Sequence, residues 1–488
     1  MLKPLPPERW SFATAAHLFN RAGFGAPPAA IEELARRTPA EAVMTFVDWD
    51  RVSDPTPNPD WAHPDPDRAE KLRAFRQATS EERQRLQQQR NREQRERMQE
   101  LRYGWLNRMV TGPRPLQEKL TLFWHGHFAT SVQKVRDPYL MWRQNDLFRR
   151  LGAGSWRTLL GEVTRDPAML LWLDQAQSKP DQPNENYARE LLELFTLGEG
   201  NYSEEDVGEA ARALSGLTLN RLTQQPEIRA RLRDSGTKTV LGRTGNLGVD
   251  DVLDAIVSQP AADRFITAKL WKFFAGADPS PALNEALAGE FRRVERRIGP
   301  LLATMFAAEE FYAPQLIRTQ IKSPVLLLVM ACRQLERPLP PAPICANALR
   351  ALGQELFNPP SVKGWDGGIA WINTNTLLSR HNLALLLVTG QNPLPVASRK
   401  AGTPGTAVSR ALNRPAGAAD PDQLFSADEK ADNIQLLHAV ERRFLNAPLQ
   451  KRERQSLQDY LQAQGELDDQ DLLGLVRLTL CTPDYQLA

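Results

Sequence analysis

Apolar side chains recur at three- and four-residue intervals along most of the chain, and segments that alternate apolar with polar residues are few. This spacing places the apolar residues of a segment on one face of an α-helix. The clearest candidate for β-structure is "TKTVLGRTGNLG", residues 237–248. We therefore predict a mainly α, multi-helix globular array with ordered Pro/Gly/Trp loops, one long solvent-exposed helix and at most a short β-hairpin.

The longest predicted helix spans residues 68–110, which contain no proline and a single glycine. Its middle, Ser80 to Arg97, lacks an apolar stripe, so we expect this part to project into solvent or to bridge two bodies. Glutamate and arginine stand four residues apart there, which suits ion pairs along a helix. The pairs are Glu81 with Arg85 and Glu93 with Arg97.

Length and composition predict how the chain is divided. A chain of 488 residues exceeds the size at which a single hydrophobic core stops growing, roughly 250 to 300 residues, so two or more packed sub-units are expected. Proline, glycine and alanine dominate residues 391–425, which are predicted to form a linker. Residues 1–390 would then form the main helical domain, and residues 426–488 would form C-terminal helices that pack on it.

Charge and hydropathy exclude two classes of protein. The 61 lysines and arginines nearly balance 59 aspartates and glutamates, which disfavours a nucleic-acid binder. The longest apolar runs, such as residues 324–332, fall short of the ~20 residues that cross a bilayer, so no membrane span is predicted. The N-terminus has prolines and arginines in place of the apolar run of a secretory signal, and a cytoplasmic location follows as an expectation.

The segment "PNENYARELLELFTLGEG", residues 183–200, predicts a helix that Asn184 caps and Gly198 ends. Tyr187, Leu191, Leu194 and Phe195 would form its buried stripe. The opposite arc then carries five polar residues, namely Glu185, Asn186, Arg189, Glu190 and Glu193. Such an arc is normal for a surface helix. If another part of the protein covers this polar arc, we expect the closely spaced carboxylates to have raised pKa values or to bind a metal ion.

A second segment, "RPLQEKLTLFWHGHFATS", residues 114–131, ends a helical pattern in His125-Gly126-His127. Two histidines spaced by two lie about 200° apart on a helix, so they share a metal ion only if the helix ends by Gly126. Together with Glu190 or Glu193 they would suit zinc, manganese or iron. The alternative is that His127 is a core imidazole hydrogen-bonded to the backbone.

A third segment, "LFNPPSVKGWDGGIAWINTNTLL", residues 356–378, predicts a loop that aromatic side chains order before a helix capped near Asn373 or Thr374. Lys363 and Trp365 lie in its middle. No nucleophile elbow, Walker loop or HExxH motif accompanies these segments.

Eight segments occur in the order found in the bacterial family named domain of unknown function 1800, which the chain resembles over nearly its whole length. They are "HLFNRAGFG", "KLTLFWHGHFATS", "DPAMLLWLD", "PNENYARELLELFTLGEGNYSEEDVGEAARALSG", "KTVLGRTGN", "FITAKLWKFF", "IKSPVLLL" and "FNPPSVKGWDGGIAWINTNTLL". The resemblance implies a largely helical fold without an assigned activity. Many relatives carry a His-Asp pair before the "KTVLG" segment, where this chain has Arg233-Asp234.

The resemblance also implies a partner. Genes of this family often neighbour those of a second family that is similar to alkaline phosphatases and sulfatases, and this points to an exported or envelope-associated protein. That implication conflicts with the cytoplasmic location expected from the N-terminus.

Two hypotheses follow. In the first, the chain is an enzyme whose site is built by the three segments, with His125, His127 and Glu190 as metal ligands or as acid and base. The remaining residues assigned to this site are Glu185, Arg189 and Glu193 as catalytic groups and Asn186, Lys363, Trp365 and Asn373 as substrate-binding groups. In the second, the chain is a non-catalytic scaffold that holds the phosphatase-like or sulfatase-like partner through the charged helix.

Overall fold

A computed structural model describes residues 2–179, 182–391 and 417–488, and the fold is mainly α, as the sequence predicts. The predicted linker, residues 391–425, falls mostly at 392–416, outside the described residues. The helices that precede the first strand are α1 (Phe12–Ala22), α2 (Pro28–Ala35), α3 (Pro39–Val47), α4 (Arg68–Gln77), α5 (Ser80–Thr111), α6 (Pro115–His127), α7 (Val132–Val135), α8 (Pro138–Leu151), α9 (Trp156–Thr164), α10 (Pro167–Trp172), α11 (Glu185–Glu190) and α12 (Glu204–Ala213).

Two short antiparallel strand pairs follow α12. The first pairs β1 (Leu217–Leu219) with β2 (Pro226–Ile228), and the second pairs β3 (Lys238–Val240) with β4 (Arg243–Gly245). The sequence predicted the second pair and missed the first. The later helices are α13 (Val249–Val257), α14 (Pro260–Ala275), α15 (Pro281–Arg293), α16 (Ile298–Ala307), α17 (Pro324–Gln334), α18 (Ala342–Leu352), α19 (Thr374–Thr389), α20 (Pro421–Leu424), α21 (Ala427–Lys430), α22 (Asn433–Val440), α23 (Lys451–Gln464) and α24 (Asp469–Cys481).

Side-chain caps define many helix starts, as the sequence indicated. Asn184 accepts the Tyr187 amide at the start of α11, and Ser203 and Asp206 form a capping box at the start of α12. The same box, made by Ser426 and Glu429, opens α21. Each cap satisfies an amide that would otherwise have no partner, which stabilises the helix by about 1 kcal/mol.

The charged segment is two helices, so the prediction of one continuous helix over residues 68–110 is wrong. The backbone is extended at Ala78 and Thr79, and Thr79 caps α5 in a box with Glu82. Charge spacing does not reveal such an internal cap. Almost all residues from 80 to 97 are nevertheless exposed, as predicted. Of the two predicted ion pairs, Glu81–Arg85 is present, whereas Glu93 accepts from Gln89 instead of Arg97.

Two hydrophobic clusters form the interior, and α6 lies between them. The first cluster is centred on Trp124, Trp156 and the helices α8–α16. The second contains Trp105 of α5, the apolar helices α17–α19 and the C-terminal helices up to Tyr485. Helix α6 contributes Leu116, Leu120, Phe123 and Trp124 to the first cluster and Leu122 to the second. The segment that ends in His125-Gly126-His127 therefore lies where the two clusters meet.

Among the helices that the structure describes, none combines the length and the apolar character that crossing a bilayer requires.

Candidate functional site

His127 is buried in the first hydrophobic cluster. Its Nε2 lies 3.0 Å from the Phe195 carbonyl oxygen. Because a carbonyl only accepts, Nε2 carries the proton and the ring is the neutral tautomer. Burial lowers the pKa of His127 well below its ordinary value, and the charge of Lys269 lowers it further. Its Nδ1 atom is buried without a hydrogen-bond partner in the described part of the protein.

His125 faces the second cluster. The Phe357 amide donates to His125 Nε2 at 2.9 Å, so this ring holds its proton on Nδ1. The ring packs against Trp105 and Phe357 and lies 5.7 Å, between centroids, from Trp365. Burial, followed by the charge of Arg102, lowers the pKa of His125 to about 3. Both imidazoles are therefore neutral at physiological pH.

The structure does not bring His125, His127 and Glu190 together as a ligand set. Helix α6 continues through Gly126 to His127, so the two imidazoles diverge toward the two clusters. Glycine permits a helix to end but does not require it. Within residues 2–179, 182–391 and 417–488, no group of three or more His, Cys, Asp or Glu side chains is placed to hold a metal ion.

The loop that contains Lys363 and Trp365 packs directly on the end of α6. Gly364 adopts φ +81°, and a Cβ atom at this position would lie 2.2 Å from the Gly126 carbonyl oxygen. Only glycine fits, because the position requires both a left-handed backbone and the absence of a side chain. This contact, with the Phe357–His125 hydrogen bond, fixes the loop against the histidine segment.

The segment at residues 183–200 contacts the end of α6 through a widened helical turn. Helix α11 continues as a π-helix over Leu191–Thr196, a rare geometry that is frequent at functional sites. His127 donates to the Phe195 carbonyl there, and Lys269 Nζ donates to the Leu194 carbonyl at 3.1 Å. The two side chains thus satisfy carbonyls at the end of the helix. The end of α6 therefore contacts both other segments, the loop through His125 and Gly126 and the π-helical turn through His127.

The predicted polar arc divides into three environments. Glu185 and Asn186 are exposed. Arg189 donates two hydrogen bonds, of 2.6 and 2.8 Å, to Glu204 at the start of α12, and these bonds with Glu204 raise its pKa. Its guanidinium is therefore engaged by a protein carboxylate. Glu190 and Glu193 are half-buried.

The Glu190 carboxylate is half-buried between solvent and the protein. Burial raises its pKa, and the neighbouring charge of Glu193 raises it further, whereas Lys363 and Arg189 oppose the shift. Within the described ranges it makes no hydrogen bond or ion pair. Glu193, by contrast, accepts a hydrogen bond from the Tyr202 hydroxyl at 2.8 Å. Burial, together with this bond, raises the pKa of Tyr202 to about 12.

Asn373 caps a helix. Its side chain accepts the Asn375 and Thr376 amides at the start of α19, which confirms the predicted helix cap near this position. Its Oδ1 atom is therefore engaged by the backbone, while Lys363 is exposed and Trp365 half-buried beside it in the loop.

Sequence reasoning missed three polar residues of this region: Tyr202, Lys269 and Asp166. Tyr202 follows the helix in the "LGEGNYS" turn, and Lys269 lies in the apolar "FITAKLWKFF" run, which is the only sequence signal for its burial. Burial, and after it the charge of Lys272, lowers the pKa of Lys269 to about 8.

Asp166 is fully buried next to the NENYARE helix. Its Oδ1 accepts the Met169 amide at 3.1 Å, as the cap of α10, and the Gln144 amide at 2.7 Å. Its Oδ2 is buried and has no donor among the residues described. Burial raises the pKa of Asp166 to about 7. Because Pro167 follows Asp166, the sequence indicates that Asp166 caps a helix. It does not indicate that the Asp166 side chain is buried.

Arg233, the residue that replaces a histidine of many relatives, lies at the surface and donates to Asn246. Its neighbour Asp234 accepts hydrogen bonds from Arg212, which lower its pKa to about 2. The Arg212–Asp234 ion pair joins α12 to the segment that precedes β3.

These observations define a mainly helical protein in which two buried histidines join the end of α6 to a π-helical turn and to the loop that follows α18. The family model "Protein of unknown function (DUF1800)" matches residues 17–487, and the chain belongs to this family. Comparison with curated proteins gives no match, and comparison with solved structures gives none either.

Proposed function

We propose that the protein is an enzyme in which Glu190 transfers a proton to or from a polar substrate. The observation that carries the proposal is the half-buried Glu190 carboxylate, which accepts no hydrogen bond from the residues that the structure describes and lies within the electrostatic influence of Glu193 and Lys363. A carboxylate with a raised pKa at a surface is suited to general acid–base catalysis.

The surrounding groups have distinct roles in this proposal. The charge of Glu193, whose carboxylate accepts the Tyr202 hydroxyl, favours the protonated form of Glu190. Lys363, on the loop, offers a cation to a substrate oxygen, and Trp365 provides an apolar wall beside it. Arg189 acts indirectly, because its pair with Glu204 holds α11 against α12.

The histidines position this site. His127 and Lys269 hold the π-helical turn that carries Glu193, and His125 holds the loop that carries Lys363. Each of these bonds joins a buried or half-buried side chain to a backbone group, so the loss of one leaves an unsatisfied group that costs about 1–3 kcal/mol.

Substitution of Glu190 by Gln tests the proposal. Purified protein is assayed on a panel of carboxylic esters, phosphate esters, sulfate esters and glycosides. Glu190→Gln keeps the side-chain shape but cannot exchange a proton at neutral pH, so we expect turnover to fall about 10²- to 10⁴-fold. Glu205→Gln, an exposed position on α12, is the matched control and should retain wild-type turnover. Equal rates in the two variants contradict the proposal.

A second candidate function is a scaffold for the phosphatase-like or sulfatase-like protein that the family's gene neighbourhood implies. The exposed part of α5 favours it, because a helix that buries no apolar face over residues 80–97 is suited to contact another protein. A cavity of about 880 Å³ between α5 and α18 continues this surface.

Charge reversal on the exposed part of α5 tests the scaffold and keeps the hydrogen bonds from Gln94 to the Arg136 carbonyl and from Trp61 to Glu100. The variant Arg85→Glu/Arg92→Glu changes exposed side chains and should abolish co-purification with the partner. Unchanged co-purification contradicts this candidate.

A further inference from the structure

A surface cavity of about 780 Å³ lies between α4 and the β1–β2 pair, and it shares no residue with the Glu190 site. This volume is within the range of small-molecule sites. Its walls come from α4, from the end of α10 with the turn that follows, and from the connection between β1 and β2.

Arginines dominate the charged groups of the cavity wall. Four of them line it against a single carboxylate, Asp174. Asp174 is already bonded to Lys134 at 2.6 Å, and Arg229 is paired with Glu227. The remaining three guanidinium groups form no ion pair or hydrogen bond with any residue that the structure describes. They belong to Arg73, Arg76 and Arg221.

These arginines concentrate positive charge that no residue of the described ranges neutralises. Arg73 and Arg76 stand three residues apart on α4, a spacing at which like charges repel. Arg221 adds a third positive charge from the opposite wall. Helix α4 has no fully buried residue to offset this repulsion. An anion within the cavity would convert the repulsion into attraction.

The rest of the lining is largely apolar. Leu72 of α4 faces leucines from α10 and from the strand pair, and Leu222, at the connection between the strands, is 52% exposed. An exposed leucine beside three unpaired arginines suits a ligand that has an apolar part as well as a charge.

We propose that this cavity binds an organic anion, with its carboxylate or phosphate among Arg73, Arg76 and Arg221 and its apolar body on the leucines. A purely apolar ligand would leave the guanidinium groups unpaired. A purely inorganic anion would leave the leucines in water. The proposal is independent of the function of Glu190, because the two sites have no residue in common.

Isothermal titration of the full chain tests the proposal with four probes: dodecanoate, dodecyl phosphate, dodecyltrimethylammonium and inorganic phosphate. We expect the two amphipathic anions to bind at least tenfold more tightly than the cationic amphiphile and than inorganic phosphate. The stronger of the two identifies the head group as carboxylate or phosphate. Equal affinity for anion and cation, or for inorganic phosphate and dodecyl phosphate, overturns the proposal.

Two variants locate the site. In Arg73→Gln/Arg221→Gln the affinity for the preferred anion should fall at least tenfold. The control Arg95→Gln/Arg136→Gln alters exposed arginines of the other large cavity and should bind as the wild type does. All four arginines are exposed, so circular dichroism and the thermal midpoint should be unchanged. Unchanged affinity in the first variant, or loss confined to the control, contradicts the assignment.

Discussion

Asp166→Asn is expected to stabilise the protein at pH 8 by up to about 4 kcal/mol and to leave its stability nearly unchanged at pH 4. The pKa of Asp166 rises from 3.8 in the unfolded chain to about 7 in the fold because burial disfavours the charged carboxylate. Each unit of pKa shift corresponds to about 1.4 kcal/mol. In the wild type, the contribution of Asp166 to the free energy of unfolding is fully present below pH 3.8 and is lost as the pH rises through 7.

The asparagine at this position removes the titration and keeps the cap, because its side-chain oxygen still accepts the Met169 amide. The measurement is the free energy of unfolding in urea at pH 4 and pH 8 for both proteins. Asp468→Asn is the matched control, since Asp468 caps α24 in an exposed position. We expect it to change the unfolding free energy little at either pH. Equal stability of wild type and Asp166→Asn at pH 8 would show that this carboxylate is not buried as described.

Gly364→Ala is expected to lower the free energy of unfolding by about 3 kcal/mol, since overpacking and a left-handed alanine both cost energy. The added Cβ would lie 2.2 Å from the Gly126 carbonyl oxygen, and because the backbone fixes the positions of both atoms, the loop must move away from α6. Urea unfolding of the purified variant measures the effect.

Two alanine variants separate the contact from other effects. Gly368 lies in the same loop at φ +54° with nothing near its Cβ position, so Gly368→Ala should cost only the left-handed strain, about 1 kcal/mol. Gly126 is helical and its Cβ position is open, so Gly126→Ala should stabilise the protein by up to about 1 kcal/mol. If Gly364→Ala is no worse than Gly368→Ala, the loop does not pack on α6.

Local signals predicted much of the fold. The caps at Asn184 and Ser203, the stripe of Tyr187 and Phe195, and the loop before Asn373 are properties of a few neighbouring residues, so the sequence contains them. Leu194 was also predicted to be buried, but it is half-buried, in the part of the helix that widens into the π-helical turn. A π-turn has no sequence signature as clear as a cap.

Tertiary packing determines the separation of the two histidines, the burial of Asp166 and the arginine-lined cavity, and the sequence did not predict these features. Helix α6 continues through Gly126 because its side chains are buried in both hydrophobic clusters, on opposite faces of the helix. The continuous helix directs His125 and His127 to different clusters. The burial of Asp166 depends on α8 and α10, and the arginine-lined cavity depends on α4 lying beside a strand pair that was not predicted. Such placements follow from contacts between distant segments.

The proton-transfer role of Glu190 is tested most directly by its own titration, followed by ¹³C NMR of labelled glutamate carboxyls and assigned by the signal lost in Glu190→Gln. We expect an apparent pKa above the ordinary value of 4.5, and a further rise in Lys363→Met, because Lys363 favours the charged form. An apparent pKa at or below 4.5 that Lys363→Met leaves unchanged would contradict the site.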